Sequence, residues 1–398
     1  MNIQVIITII DFLLWLIIAA NVMYALFFAL ASHLPKKTHL PSAISHQPSF
    51  LVLIPAYHED AVIINTVKSF LQQDYPKNLY QLCVISDHMD ATTNEQLAAL
   101  PITLLQPTFE NSSKAKALQY AISAISHQPS DIYDFVVILD ADNIVAQNFL
   151  SQLNQIARPN IAIQCHRTAK NANNDIATLD GLSEEINNSI FRRGHNRIGM
   201  SSALIGSGMC FAYRWFKDNV TKLNTAVEDR ELEVLLMKQG IYIHYVENIH
   251  VMDEKVCNSK NFQRQRLRWM TGQVQALYQM LPYIPKAIIT RNINFIDKTI
   301  QQALIPRSIL LALIPLLCVI ATTSSYIIHL PSSIFHLKWW CRFIAFCIAL
   351  NIALPRHMHR KTLLSKLISL PSLVWKMLQN ILKIDPKDGE FIHTTHDK

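Results

Sequence analysis

Asp140-Ala141-Asp142 closes an apolar run, Phe135-Val136-Val137-Ile138-Leu139, and places two carboxylates two residues apart where a strand would end. A chain turning out of a buried strand can aim one or both at a single hard cation. Oxygen ligands of this kind suit Mg2+ or Mn2+, with water and substrate phosphates completing the shell. Such an ion would neutralise a diphosphate as it leaves. Glu228-Asp229 opens a stretch of helical character reaching Lys238. A carboxylate there could act as general base on an acceptor hydroxyl, worth roughly 10²–10⁴-fold in rate, or could simply favour a helix N-terminus. In Gln265-Arg266-Leu267-Arg268-Trp269, Arg268 can grip phosphate oxygens bidentately and Trp269 offers a flat apolar face to a sugar ring. Arg264 and Arg266 also fit a solvated basic face near anionic lipid. Gly206-Ser207-Gly208-Met209 fits either a loop where backbone meets a ligand or a plain tight turn.

The elements that must position these groups alternate strand and helix. Phe50-Leu51-Val52-Leu53-Ile54, ended by Pro55, and Leu82-Cys83-Val84-Ile85-Ser86 read as buried strands like the run before Asp140. Ala61 to Gln73 and Lys114 to Ile125 read as the helices between them. The pattern predicts the α/β class, a mostly parallel sheet covered on both faces. Ligands bind such sheets at the carboxyl ends of strands, where Glu59, Asp87 and Asp140 all fall. The chain has 8 glycines and none precedes Gly181, which excludes a P-loop and a GxGxxG loop in the first half.

Of the 398 residues 50% are hydrophobic and 16% charged, a balance that suggests a soluble domain with a few membrane spans. The formal net charge of +7 fits anionic lipid or a phosphate-bearing substrate. No basic run interleaved with aromatics supports nucleic acid. The 7 scattered cysteines, without a CxxC pair, read as buried thiols in a reducing compartment. Phe12 to Ala31 carries no formal charge and is long enough to cross about 30 Å of hydrocarbon at about 1.5 Å per residue. Asp11 lies before it and Lys36 and Lys37 after it, so the positive-inside rule places the next domain in the cytoplasm. Ser308 to Ile328, with Arg307 at its start and Pro315 inside, is a second span. Trp339 to Leu354 is a third, with Lys338 and Arg342 snorkelling outward and the basic cluster Arg356, His357, His359, Arg360 and Lys361 beyond it. Asn292 to Ile305 and Leu363 to Leu382 fit interfacial amphipathic helices or core helices of a globular tail. The expected domains are an anchor over 1–35, a cytoplasmic catalytic domain over 48–280 and an interfacial region over 281–306. A transmembrane hairpin over 307–356 and a cytoplasmic amphipathic helix and tail over 357–398 complete them.

Over roughly residues 50 to 275 these motifs together resemble glycosyltransferase family 2 of the GT-A fold. The likeness is to its membrane branch, which carries DxD, ED and QxxRW and includes cellulose, chitin and hyaluronan synthases and ceramide glucosyltransferase. The resemblance implies that Ile54-Pro55-Ala56-Tyr57-His58-Glu59 holds the nucleotide, with Ala56, Tyr57 and Glu59 at base and ribose. It implies that Asp87, with Asp90, reads a uracil ring, and that Lys114 and Lys116 lie near the nucleotide. Asp140 and Asp142 match DxD, and Glu228-Asp229 match ED with Asp229 as the base. Gln265, Arg268 and Trp269 match QxxRW, toward donor and acceptor. The reaction implied is a single inverting displacement, in which a UDP-sugar or similar donor glycosylates a lipid or glycan acceptor at the cytoplasmic face. The partners implied are the nucleotide sugar, that acceptor, membrane lipids and a Mg2+ or Mn2+ ion. The chain departs from the pattern at His58, where Asn is usual, at His88-Met89 between the acidic positions, and at Ser113, where Gly often stands. Glu390 to His396 resembles a tail segment of some bacterial relatives, or is a disordered end. A processive polysaccharide synthase and an inactive sugar-nucleotide-binding membrane scaffold are the rival readings.

Overall fold

The computed structural model describes residues 3–36, 46–125, 133–171, 174–225, 227–256, 258–327, 333–355 and 379. The basic cluster at 356–361, the segment Leu363–Leu382 (Gln379 apart) and the tail Glu390–His396 lie outside the described residues.

Eight strands form one sheet: β1 (Phe50–Tyr57), β2 (Tyr80–Asp87), β3 (Thr103–Leu105), β4 (Phe135–Ile138), β5 (Ile144–Val145), β6 (Ile161–Ala169), β7 (Met209–Ala212) and β8 (Tyr242–Asp253). Their order is β3-β2-β1-β4-β7-β6-β8-β5. β1 pairs in parallel with β2 and β4, β2 with β3, and β6 with β8. The antiparallel pairs are β4 with β7, β6 with β7, and β5 with β8. The sheet is thus mostly parallel, as the strand–helix alternation predicts. The unbroken apolar runs follow from burial on both faces. Phe50, Val52 and Ile54 pack with Ile63, Val67 and Phe70 of one helix, while Leu51 and Leu53 pack with Leu118, Ala121 and Ile122 of another.

β1 continues through Pro55 to Tyr57, two residues past the proline expected to follow its end. On the β4 side its ladder stops at Leu53↔Ile138, so the missing proline N–H leaves no partner unpaired there. Lys114–Ile125 and Glu228–Lys238 are helices over the ranges predicted, whereas the Ala61–Gln73 helix shortens to Ile63–Phe70.

The helices Ile3–Ala31, Arg307–Ile327 and Ser333–Ala353 share one core that includes Ile18, Val22, Leu310, Ile314, Trp339 and Phe346. Within them, Thr8–Ala31 and Arg307–Ser324 are long and apolar enough to cross a bilayer, judged by length and composition. The charges of the Ser333–Ala353 helix meet partners on the first helix. Lys338 Nζ bonds Asp11 Oδ2, Trp339 Nε1 donates to Asp11 Oδ1 at 3.0 Å, and Arg342 lies 4.6 Å from the Trp15 ring centre. An apolar surround rewards pairing these groups with each other over leaving them single. The Ile293–Ala303 helix divides its apolar residues between two faces. Phe295 turns inward with Asp297, Lys298, Gln301 and Gln302, leaving Ile293 and Ile300 exposed. Of the six described cysteines, Cys341 and Cys347 are exposed and the others buried, so the thiols are not uniformly interior.

A buried polar seam ties the first helix to the sheet domain. Tyr24 Oη donates to Asp297 Oδ1 at 2.7 Å and lies 2.9 Å from His195 Nε2. Gln301 Nε2 donates to Asp297 Oδ2 at 2.7 Å, and the Phe28 and His195 rings stack at 3.6 Å. Gly194 permits the approach, because a Cβ there would stand 2.3 Å from the Phe28 carbonyl oxygen. Tyr24→Phe should therefore lower stability by about 1–3 kcal/mol, the cost of leaving a buried acceptor unsatisfied. Gly194→Ala should cost more, through direct collision with backbone. Thermal unfolding of the detergent-purified variants measures both, and an unchanged midpoint for Gly194→Ala would contradict the close approach.

Candidate active site

The carboxyl ends of four strands bring the acidic residues together. Tyr57 at the end of β1 is in register with Asp87 at the end of β2, Asp140 follows β4, and Asp253 ends β8. The residues just after β1 and β2, His58 and His88, have φ of 53° and 54°. Asn, Asp and His are the non-glycine residues enriched in that left-handed region. His58 thus meets the backbone demand that Asn usually meets at this position. His88 Nδ1 lies 2.6 Å from Asp87 Oδ1, and the His88 ring packs edge-on to Tyr57 at 5.6 Å.

Ligand atoms of Asp140, Asp142 and Asp253 all lie within 4.8 Å of one another. Asn143 organises the cluster: its Nδ2 donates to Asp142 Oδ1 at 2.9 Å and to Asp253 Oδ1 at 3.3 Å. Its Oδ1 accepts from the Asp140 N–H at 3.0 Å and from the Ser207 hydroxyl. The Glu254 N–H donates to Asp142 Oδ2 at 2.9 Å. Three converging carboxylates are a donor set suited to a hard divalent cation such as Mg2+ or Mn2+. Sequence reasoning found Asp140 and Asp142 and missed Asp253. The strand that ends at Asp253 is no unbroken apolar run, so it lacks the signal that singled out Asp87 and Asp140.

Behind Asp253 stands a set of buried cations. Lys255 Nζ is 2.8 Å and Arg167 Nε 3.8 Å from Asp253 Oδ2. Both also reach Glu184 Oε2, Arg167 at 3.1 Å and Lys255 at 3.7 Å, while Arg192 meets Glu184 Oε1 at 3.2 Å. Burial would raise the Glu184 carboxyl, but Arg167, Lys255 and Arg192 together hold it well below the ordinary glutamate range. The same opposition holds for Asp253, which ends below its ordinary value through Arg167 and Lys255. Nothing in the local pattern around Glu184 distinguished it.

Lys114 joins two parts of the site. Its Nζ donates to Asp140 Oδ1 at 2.5 Å and to the Gly206 carbonyl at 2.6 Å, and lies 3.2 Å from Glu228 Oε1. Burial would push the ammonium down, yet Asp140 and Glu228 outweigh it and raise Lys114 above the ordinary lysine range. Burial raises the Glu228 carboxyl, with Lys114 opposing and Asp229 adding to the rise. Asp229 is less enclosed, and its Oδ1 accepts the Arg230 N–H at 2.8 Å at the start of the helix. Gly206 and Gly208 both have positive φ, 73° and 65°. A Cβ on Gly206 would stand 3.6 Å from Asp229 Oδ2, whereas one on Gly208 would press to 2.9 Å from the Val251 side chain. Gly206 therefore faces the site and Gly208 the core.

Gln265, Arg268 and Trp269 lie on the helix Ser259–Met280. Gly272 seats that helix, since a Cβ there would be 2.5 Å from Val227 Cγ2, next to Glu228. Burial lowers the Arg268 guanidinium while Glu228, Asp140 and Asp229 pull it back up, and Arg268 lines the same cavity as these carboxylates. Gln265 Oε1 is buried without a hydrogen-bond partner among the described residues. Arg266 is not solvated: it bonds Asp180 Oδ1 and lies between Phe262 at 4.8 Å and Trp269 at 4.4 Å. Arg264 is exposed, Lys116 Nζ bonds the Asn111 carbonyl at 2.6 Å at the surface, and Asp90 precedes the Ala91–Ala98 helix. None of these three lines the cavity.

One cavity of about 560 Å³ is lined by Ala56, Tyr57, Glu59, Asp87 and Lys114, by Asp140, Asp142, Glu228 and Asp229, and by Gln265, Arg268 and Trp269. Side chains from these six stretches of sequence thus share one space, and Asp253 from a seventh lines it as well.

A sequence model of the family described as glycosyltransferase like family 2 matches residues 47–272. The chain is 24% identical over 288 residues to an N-acetylglucosaminyltransferase of Rhizobium meliloti, covering 67% of this chain and 65% of that protein. It is 24% identical over 240 residues to a beta-monoglucosyldiacylglycerol synthase of a Nostoc species, covering 57% and 49%. It is 26% identical over 255 residues to glucomannan 4-beta-mannosyltransferase 7 of Arabidopsis thaliana, covering 58% and 44%. The chain therefore spans less than two thirds of the length of each of these relatives. Among solved structures, a mannosyltransferase from Pyrobaculum calidifontis in complex with GDP-Man and Mn2+ matches with a TM-score of 0.50 at 16% identity. That match covers 84% of this chain and 96% of the other, and speaks for the fold.

Glu184→Gln should destabilise the protein by about 3–5 kcal/mol near neutral pH, because three buried cations lose a charged partner. Glu184 has a depressed value in the folded state, so its contribution is complete above the ordinary glutamate value of about 4.3 and is lost as pH falls through the folded value. Unfolding midpoints of wild type and variant should therefore differ at pH 7 and converge as the medium is acidified below about pH 4. A gap that is constant with pH would contradict the ion-pair account.

Proposed function

The chain belongs to the glycosyltransferase-like family 2 and has the GT-A type of α/β fold; from that premise we propose that it is an inverting, metal-dependent glycosyltransferase. It moves a sugar from a nucleotide-diphosphate donor, a UDP-sugar in the first instance, to a lipid or glycan hydroxyl and forms a β-glycoside. The observation that carries this reading is Lys114, which bonds Asp140 of the three-carboxylate cluster and lies 3.2 Å from Glu228, the neighbour of Asp229. A diphosphate end and a base end are thereby held side by side in one cavity.

Ala56, Tyr57, Glu59 and Asp87 receive base and ribose at the ends of β1 and β2. Asp140, Asp142 and Asp253 would hold a Mg2+ or Mn2+ ion, which supplies positive charge to the diphosphate. Arg268 and Lys114 add fixed positive charge where negative charge grows on the leaving oxygen, and burial of both makes that charge count for more than in water. Asp229 takes the proton of the acceptor hydroxyl. The freed oxygen bonds to the anomeric carbon as the carbon–oxygen bond to the diphosphate breaks, and the electron pair departs with the nucleoside diphosphate. Glu228 is tied to Lys114 and serves as a positioning residue. Gln265 and Trp269 border the donor sugar and the acceptor, with one face of Trp269 covered by Arg266. The helices at Thr8–Ala31 and Arg307–Ser324 cross the membrane and hold the site at its cytoplasmic face.

Full-length protein in detergent or nanodiscs, given Mn2+ and a panel of labelled UDP- and GDP-sugars, should form a glycosylated product only when metal is present. Asp229→Asn should lower turnover by about 10²-fold or more and leave donor affinity within about threefold. Equal turnover by Asp229→Asn would defeat the assignment of the base. Metal-independent silence with every donor would favour a sugar-nucleotide-binding scaffold, and long polymer would favour a processive synthase.

A further inference from the structure

The cavity does not end at the catalytic groups. Past Arg268 and Trp269 its wall turns apolar, formed by Leu182 and Ile186 of the Asp175–Asn187 helix, Leu311 of the Arg307–Ile327 helix, and Leu350 and Leu354 at the end of Ser333–Ala353. Ala25 of the first helix closes the same wall. The polar half of the site is therefore continuous with a channel bounded by the three apolar helices.

Arg307 stands where the two halves meet and lines the cavity. Its Nη2 donates to the Ser183 carbonyl at 3.1 Å and to Asn187 Oδ1 at 2.7 Å, and among the described residues its hydrogen-bond partners are all neutral. The charged groups that act on it are Arg266, Glu184 and Arg192. Glu184 is already shared among Arg167, Arg192 and Lys255, and Arg266 is bound to Asp180. Among the described residues no carboxylate bonds Arg307, although a half-buried charge gains from a partner. The site has an apolar slot and, beside it, a cation that no described carboxylate bonds. A neutral glycan would leave the slot unfilled, and a neutral lipid would leave the cation unmatched.

We propose, resting on the glycosyltransferase reading, that the acceptor is an anionic phospholipid carrying a free hydroxyl. Its acyl chain lies along Leu182, Leu311 and Leu350, its phosphate pairs with Arg307 through charge-assisted hydrogen bonds, and its headgroup hydroxyl reaches toward Asp229. In the transfer the hydroxyl oxygen bonds to the anomeric carbon, its proton passes to Asp229, and the bond from that carbon to the diphosphate breaks with its electron pair leaving on the nucleotide. The product is a glycosylated phospholipid.

The test uses full-length protein in detergent containing equal amounts of phosphatidylglycerol and diacylglycerol. Native mass spectrometry should show phosphatidylglycerol retained by the wild type. Arg307→Gln should lose it at least tenfold, Arg307→Lys should keep most of it, and Leu311→Trp, which fills the apolar slot, should lose both lipids. With labelled donor and Mn2+ the wild type should label phosphatidylglycerol ahead of diacylglycerol, and Arg307→Gln should raise its KM at least tenfold. If Arg307→Gln does not fold, the competition between the two lipids on the wild type decides alone. Equal or greater retention and labelling of diacylglycerol overturns the proposal, as does unchanged phosphatidylglycerol binding by Arg307→Gln. A wild type that binds nucleotide sugar with Mn2+ but neither retains nor labels lipid overturns it and leaves the glycosyltransferase reading standing. A wild type that binds no nucleotide sugar overturns both.

Discussion

Negative charge has to be crowded into this site for its chemistry, and crowding it there is what the surrounding structure must make tolerable. Asp140, Asp142, Asp253, Glu228 and Asp229 all face one cavity, most of them removed from water. Isolated buried carboxylates would take up protons and stop serving as ligands or bases. Lys114 opposes this on one side by meeting Asp140, Glu228 and the Gly206 carbonyl at once. Lys255 and Arg167 prevent it on the other by meeting Asp253. The geometry of the loop at Gly206 follows from the same need, since only a carbonyl presented there completes the coordination of the Lys114 ammonium.

Compensation by fixed cations leaves a remainder that is itself functional. Lys255 and Arg167 are shared with Glu184, which also carries Arg192, so the positive charge behind Asp253 is divided. The carboxylates in front form a group that could hold a divalent ion. A site neutralised in full by lysine and arginine would not favour a metal, and one without them would not stay ionised. Tuning between those limits rests on residues far apart in the chain, which is why Glu184 matters without touching a substrate.

Sequence reasoning found what is written locally. The apolar runs of β1, β2 and β4 gave away the sheet, because strands buried on both faces cannot alternate in polarity. The carboxylates at their ends followed from where such sheets bind ligands. The Lys114–Ile125 and Glu228–Lys238 helices were legible from periodicity and charge placement. Asp253 and Glu184 were not, because their significance comes from partners met only after folding. Asp253 lies more than a hundred residues from Asp142, and no short-range pattern encodes that meeting. The sequence left an interfacial and a core helix open for Ile293–Ala303, and the partners that turn Asp297 and Gln301 inward, Tyr24 and His195, are likewise met only after folding. The same holds for Lys338 and Arg342, whose partners Asp11 and Trp15 lie on the first helix.

Those long-range polar pairings explain why the helical bundle and the sheet domain act as one body. Lipid gives apolar helices little reason to choose one neighbour over another, because the hydrocarbon is as apolar as they are. Register must come from polar contacts, and the first helix has them at both ends: Asp11 with Lys338 and Trp339, and Tyr24 with Asp297 and His195. The second of these sits within the same helical turns as Ala25, which lines the cavity. The contact that fixes the helix to the sheet domain therefore also fixes the part of the wall that Ala25 forms. On the proposed reading, a site that joins a polar nucleotide to an apolar acceptor needs its two halves aligned to within the reach of one hydroxyl. The buried seam around His195 supplies a fixed contact between the first helix and the sheet domain that such an alignment would use.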